Sequence, residues 1–157
     1  MSRKRNRVRV FESSLLLSVL WLSACGLGSA ELRGSDGKLQ GCDSGPCVSS
    51  LSRDPERRIE PFRYSGKREE ARQALLRVLR NTPGATVVTE SADYIHAEFT
   101  TPLMRYVDDV EFVLPSAENI IHLRSASRIG YFDFSTNRER IESLRLAFFQ
   151  LYPSIYR

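Results

Sequence analysis

Both histidines and the densest set of charged side chains fall between Tyr94 and Arg140, and their spacing suggests two kinds of chemistry. His96 and Glu98 are two residues apart, as are Asp109 and Glu111, and His122 and Arg124. Imidazole nitrogens and carboxylate oxygens are divalent-metal ligands. His96, Glu98 and His122 thus outline a metal-dependent enzyme site, with Asp109 or Glu111 as a further ligand or general base. The second constellation is Arg124, Ser125, Ser127, Arg128 and Arg138. It suits an anionic head group or carboxylate held near a strand end and a helix N-terminus. Its plain alternative is structural, with Arg124 and Arg128 pairing with Asp109, Glu111 and Asp133 to join a sheet to the last helix. Two histidines are a minimal supply of ligands, and no Gly-x-Ser-x-Gly or Cys-His arrangement provides a nucleophile. The expectation is therefore a non-catalytic binding module with no cofactor, its ligand being small and anionic or lipid-like.

Hydrophobic periodicity supplies the elements that must position these residues. In 94–99 the side chains alternate, so Ile95, Ala97 and Phe99 share one face and Tyr94, His96 and Glu98 the other. In 107–114, Val110, Phe112 and Leu114 oppose Asp109 and Glu111; in 120–124, Ile121 and Leu123 oppose His122 and Arg124. An antiparallel meander of these strands gathers His96, Glu98, Asp109, Glu111, His122 and Arg124 on a polar face. The opposite face is an apolar floor for helices. Lys67–Asn81 reads as one helix, because Ala71, Ala74, Leu75, Val78 and Leu79 recur at helical spacing with Glu69 and Glu70 in the first turn. Thr82-Pro83-Gly84 stops it, and Ala85–Thr89 is a short strand. Ile59 to Tyr64 is an extended edge segment, since Pro61 lacks a donor for a central ladder. Thr136-Asn137-Arg138-Glu139 has the form of a capping box with Thr136 as N-cap, and Ile141, Leu144, Ala147, Phe148 and Leu151 form the stripe of a second helix. The fold class is thus α+β: a single two-layer domain, an antiparallel sheet with two helices packed on one face.

The first 24 residues are of another kind. Met1–Ser14 is basic, Leu15–Leu22 is apolar, and Leu22-Ser23-Ala24-Cys25 ends the segment, the three-part form of an export signal. Its apolar run is far shorter than the roughly 20 residues a membrane-spanning helix needs. Leu22-Ser23-Ala24-Cys25 resembles the lipobox of bacterial lipoproteins, which implies cleavage before Cys25 and lipid on that residue. Gly26 rather than Asp follows, which by the same resemblance implies the periplasmic face of the outer membrane of a Gram-negative bacterium. Residues 25–52 are rich in Gly and Ser and read as a flexible tether, with the globular domain at 53–157. In that tether Cys42 and Cys47 bracket a Gly-Pro turn. A Cys42–Cys47 disulfide is the preferred reading in an oxidising compartment, free thiols or a metal pair being the alternatives.

The 157 residues, 41% of them hydrophobic, suffice for one domain with a real core. The net charge of +4 suggests nucleic acid only until its distribution is considered. Residues 1–24 hold five basic residues and one acidic; without them eighteen basic face eighteen acidic. A balanced chain has no general attraction for phosphate backbones, so no nucleic-acid partner is expected. The partners expected are the membrane, through the lipid on Cys25, and a small molecule or an envelope protein that would make this an interaction or assembly factor.

Several stretches in one order resemble the family catalogued as domain of unknown function 1499. They are Pro46-Cys47-Val48-Ser49-Ser50, Tyr94-Ile95-His96-Ala97-Glu98-Phe99, Val107-Asp108-Asp109-Val110-Glu111-Phe112 and Ile121-His122-Leu123-Arg124-Ser125-Ala126-Ser127-Arg128-Ile129-Gly130-Tyr131, followed by Asp133 and Asn137-Arg138. The resemblance runs from about Gly41 to Arg145. It implies an envelope or plastid-lumen protein without a settled activity. Family members often carry Cys-Pro and Pro-Asn-Cys at the cysteine pair, from which Cys42-Asp43 and Gly45-Pro46-Cys47 depart.

Overall fold

The computed structural model describes residues 38–43, 45–130 and 135–152. The leader, Cys25 and half of the tether lie outside the described residues, as does Asp133. The described elements are β1 (Cys47–Ser49), β2 (Phe62–Arg63), α1 (Arg68–Asn81), β3 (Ala85–Glu90), β4 (Tyr94–Thr100), β5 (Val107–Val113), β6 (Ile120–Ser127) and α2 (Thr136–Leu151). Their strands form an antiparallel sheet in the order β1-β6-β5-β4-β3, with β2 also on β6. The fold is the expected α+β domain.

The meander β3 to β6 follows from the alternation in sequence. Ala97 lies opposite Val110, and Phe112 opposite Leu123, so the apolar residues of successive strands stack on one face. Against that face α1 sets Ala71, Ala74, Leu75, Leu76, Val78 and Leu79, while α2 sets Ile141, Leu144 and Phe148. The turn from α1 into β3 needs Gly84: its φ is +79°, and a Cβ there would meet the Thr100 carbonyl oxygen at 2.9 Å. Glu90 at the exposed edge of β3 is held by Arg72 at 2.9 Å and Arg80 at 2.7 Å from α1.

Three differences from the sequence reading have physical causes. The domain begins before residue 53. Cys47–Ser49 of the Gly/Ser-rich stretch is a strand, paired to β6 with Val48 opposite Ser125. Three residues carry no period; the vacant edge of β6 recruits them. The N-cap of α2 is Ser135, not Thr136, and at φ 74° it makes no side-chain capping bond, so the capping box does not form. Leu151 leaves the stripe and is half exposed, because the core contact one turn after Phe148 is made by Tyr152 instead.

β2 is only two residues long but deeply set. Phe62 is wholly buried, with ring centroids 5.6 Å from Phe148, 6.1 Å from Phe112 and 6.2 Å from Phe149, and the Arg145 guanidinium lies 4.7 Å from its ring centroid. One side chain thereby joins both layers. Phe62→Ala is expected to cost about 3–5 kcal/mol, read as a lowered midpoint in urea unfolding with an unchanged slope.

Candidate functional site

The register of the sheet builds the polar face. His96, Glu111, Arg124 and Ser49 lie across from one another on β4, β5, β6 and β1; one step along, Glu98, Asp109, Ala126 and Cys47 do the same. Side chains directly or diagonally opposed on neighbouring strands are close enough to bond, and they do so in two networks.

In the first, His96 Nε2 lies 2.8 Å from Asp109 Oδ1. The Arg128 guanidinium donates to both Asp109 oxygens at 2.8 Å and also to Glu98. Burial alone would raise the Asp109 carboxyl, but the hydrogen bonds from His96 and Arg128 overcome it and hold the group at about 2, below its ordinary 3.8. An ionised Asp109 accepts only, so His96 Nε2 carries the shared proton. In the second network the wholly buried Glu111 accepts from Tyr94 Oη at 2.9 Å and Arg124 at 3.0 Å. Burial dominates here and raises the Glu111 carboxyl, against the opposing pull of Tyr94 and Arg124. Arg124 Nε has no hydrogen-bond partner among the described residues.

His122 stands apart. It faces Val113 across the ladder, and its Nδ1 lies 3.2 Å from Ser50 Oγ. Burial lowers its pKa, with Glu118 opposing. The metal constellation of His96, Glu98 and His122 is therefore not assembled. Among the described residues the cluster with ligand geometry is His96, Glu98 and Asp109, whose ligand atoms lie within 4.8 Å of one another. The Arg128 guanidinium already binds two of its three members, which sets a fixed cation where a metal would have to sit.

The anion constellation is divided as well. Arg124 and Arg128 are on the polar face, paired with carboxylates, while Ser125 and Ser127 are in phase with Ile121 and Leu123 and point toward the helices. There Ser125 Oγ donates to Asn137 Oδ1, and Asn137 Nδ2 donates to Ser127 Oγ at 3.1 Å. Arg140 donates to the same Asn137 oxygen at 2.7 Å and pairs with Asp108. This second polar cluster, with Asn137 and Ser125 fully buried and Asp108 nearly so, was not anticipated. Its signal was present: Asp108 and Ser125 stand in the apolar phase of their strands, where an unmatched polar group would be costly. Tyr94 and Ser50 are likewise bonding partners that spacing alone did not single out.

Arg138 goes to a different place. It donates to the carbonyl oxygens of Glu56 at 2.8 Å and Arg58 at 2.9 Å and, among the described residues, has no carboxylate partner. It lines a groove between the segment before β2 and α2, together with Arg58, Ile59, Glu60, Glu142 and Arg145. Arg145 pairs with Glu142 at 2.8 Å; Arg58 donates to the Ser52 carbonyl oxygen.

Cys42 and Cys47 are joined as a disulfide, their Cα atoms 5.6 Å apart, and pack against Ala126. A loop so short stabilises by only about 2 kcal/mol, so the bond shapes the approach to β1 rather than holding the fold.

Two outcomes follow for the first network. Asp109 has a folded pKa below its unfolded value, so its stabilisation is full above pH 3.8 and is lost as pH falls toward about 2. The stability difference between the natural chain and Asp109→Asn should therefore be roughly 2 kcal/mol near neutrality and shrink across that acid window in urea titrations at successive pH values. Arg128 is partly exposed, so solvent screening moderates its effect. Arg128→Ala should still cost about 1–2 kcal/mol, because it leaves buried Asp109 with His96 alone. An unchanged melting temperature would refute that structural role.

No curated protein and no solved structure matches the chain. The family model described as "Protein of unknown function (DUF1499)" matches residues 38–148. That span begins ahead of the disulfide and β1 and ends within α2, so it takes in every strand of the sheet. The chain belongs to the DUF1499 family.

Proposed function

We propose that this protein is an exported, lipid-anchored envelope protein whose domain is a non-catalytic binding module for a small anionic ligand. The anchoring rests on the leader and on the lipobox-like Leu22-Ser23-Ala24-Cys25. Among the described residues no helix is long and apolar enough to cross a membrane; the attachment in this reading is the lipid on Cys25.

The observation that carries the binding site is how the arginines are partnered. Arg124, Arg128 and Arg140 each meet a buried or partly buried carboxylate, so their charge is already compensated. Arg138 is committed only to main-chain carbonyls, and beside it in the groove Arg58 also bonds a carbonyl. A carboxylate or phosphate entering there replaces water around these guanidinium groups and makes charge-assisted bonds. The ligand site is thus the groove at Arg58 and Arg138 rather than the polar sheet face. Binding is favoured over catalysis because the acid–base candidates His96, Asp109 and Glu111 are buried and bonded to one another or to arginine.

Native mass spectrometry of the full chain, purified from envelopes, tests this reading. The expected result is a retained small anion in the natural protein and its loss in Arg138→Ala, with a stability change of about 1 kcal/mol or less. No retained species, together with no binding of inorganic phosphate or citrate by calorimetry, would overturn the groove as a ligand site.

A further inference from the structure

The connection between β4 and β5 presents apolar side chains to solvent on a well-bonded turn. Leu103 is 89% exposed and Met104 59%; Tyr106 is partly exposed, as is Ile129 just past the end of β6. The turn is not loose. Thr101 N–H donates to the Tyr106 carbonyl oxygen at 2.9 Å, Arg105 N–H to the Thr101 carbonyl oxygen, and Tyr106 N–H to Thr101 Oγ1 at 2.9 Å. Arg105 sits at φ 57°, a backbone region that residues other than glycine rarely occupy. A rigid apex that displays Leu and Met outward beside an Arg is the composition of an interfacial membrane contact. The apolar groups enter the acyl boundary, the Tyr ring sits at head-group level and the cation meets anionic phosphates. Single exposed apolar residues are ordinary; a cluster confined to one turn and its neighbour is a docking surface.

The route of the chain decides what docks. Ser127 N–H bonds the Pro46 carbonyl oxygen, Arg128 N–H bonds that of Val107, and Thr100 N–H bonds that of Gly84. The start of β1, the end of β6, the start of β5 and the end of β4 therefore share one end of the sheet. The chain arriving from Cys25 enters β1 at the end that carries Leu103, Met104, Arg105, Tyr106 and Ile129. From β1 to β4 is three strand spacings, roughly 14 Å. A bilayer that held Cys25 would thus lie within reach of this apex, and the Cys42–Cys47 disulfide, packed against Ala126, ties the chain ahead of β1 to that end of the sheet.

We infer that the β4–β5 apex is a second membrane contact, which inserts Leu103 and Met104 into the bilayer holding the lipid on Cys25 and sets the sheet end-on to its surface. The inference rests on the lipid anchoring proposed above. The only tryptophan of the sequence, Trp21, lies in the leader, so the mature chain is free of tryptophan and a single reporter is clean. The full chain is expressed as Leu103→Trp or as Leu151→Trp, the latter at the far end of α2, and reconstituted in vesicles of neutral and anionic phospholipid. Lipids brominated mid-chain should quench the fluorescence of the first severalfold and leave the second unchanged, while aqueous iodide should act in the opposite order. Mass spectrometry of the same preparation reports the acyl groups on Cys25. Absence of that lipid refutes the anchoring and overturns the inference with it. Lipid on Cys25 with a reporter at 103 as accessible to iodide as that at 151 overturns this inference alone and assigns the apex to a protein partner.

Discussion

Strand β5 carries three carboxylates out of water, and the rest of the structure is arranged around neutralising them. Asp108 and Asp109 are each 4% exposed and Glu111 is fully buried. Consecutive side chains point to opposite faces, so Asp108 faces the helices while Asp109 and Glu111 face the other side. A buried carboxylate without a partner costs several kcal/mol. Each is met by arginine from one later stretch of chain: Glu111 by Arg124, Asp109 by Arg128, and Asp108 by Arg140. That stretch forms β6, leaves the sheet and starts α2. Pairing its arginines with β5 therefore fixes where the last strand lies and where the last helix begins.

This requirement also fills the hydrogen-bonding positions of the polar face. General acids and bases need a reacting group within hydrogen-bond reach and a proton to exchange. Here His96 and Arg128 occupy Asp109, and Tyr94 and Arg124 occupy Glu111. The opposite directions of the two carboxyl pKa values show the same balance at different settings. At Asp109, bonds to His96 and Arg128 outweigh burial; at Glu111, burial outweighs the bonds. Both carboxylates are thus held by groups of the fold itself.

Much of this was legible in the sequence, and for identifiable reasons. Strands β4, β5 and β6 alternate with period two, so Ile95, Phe112 and Leu123 announced one face and His96, Glu98, Asp109, Glu111 and Arg124 the other. Helix α1 was legible from Ala71, Ala74, Leu75, Val78 and Leu79. What was not legible depends on partners distant in the chain. Val48 and its neighbours become a strand only because β6 offers an edge, and Ser135 becomes the cap of α2 because the chain arrives there with a left-handed turn. Spacing showed that His96 and His122 share a face, but not the register that sets His96 level with Arg124 and His122 level with Val113 and Tyr94. It also grouped Arg124, Ser125, Ser127, Arg128 and Arg138 by nearness in sequence, whereas a strand and a helix disperse such neighbours.

That dispersal gives the arginines of this domain different meanings, although composition treats them alike. Arg124, Arg128 and Arg140 answer charges that folding has buried, and removing one leaves a buried carboxylate without its arginine. Arg138 answers only carbonyl dipoles, and its guanidinium keeps most of its capacity for a further anion. Arg105 answers nothing within the described fold: it is held on a bonded turn among exposed Leu103, Met104 and Tyr106. Unused charge on a rigid support is what recognition requires, because the ligand then gains the full interaction without ordering the protein first. The carboxylates of β5 hold Arg124, Arg128 and Arg140 in place, whereas Arg138 and Arg105 keep charge that no carboxylate among the described residues answers.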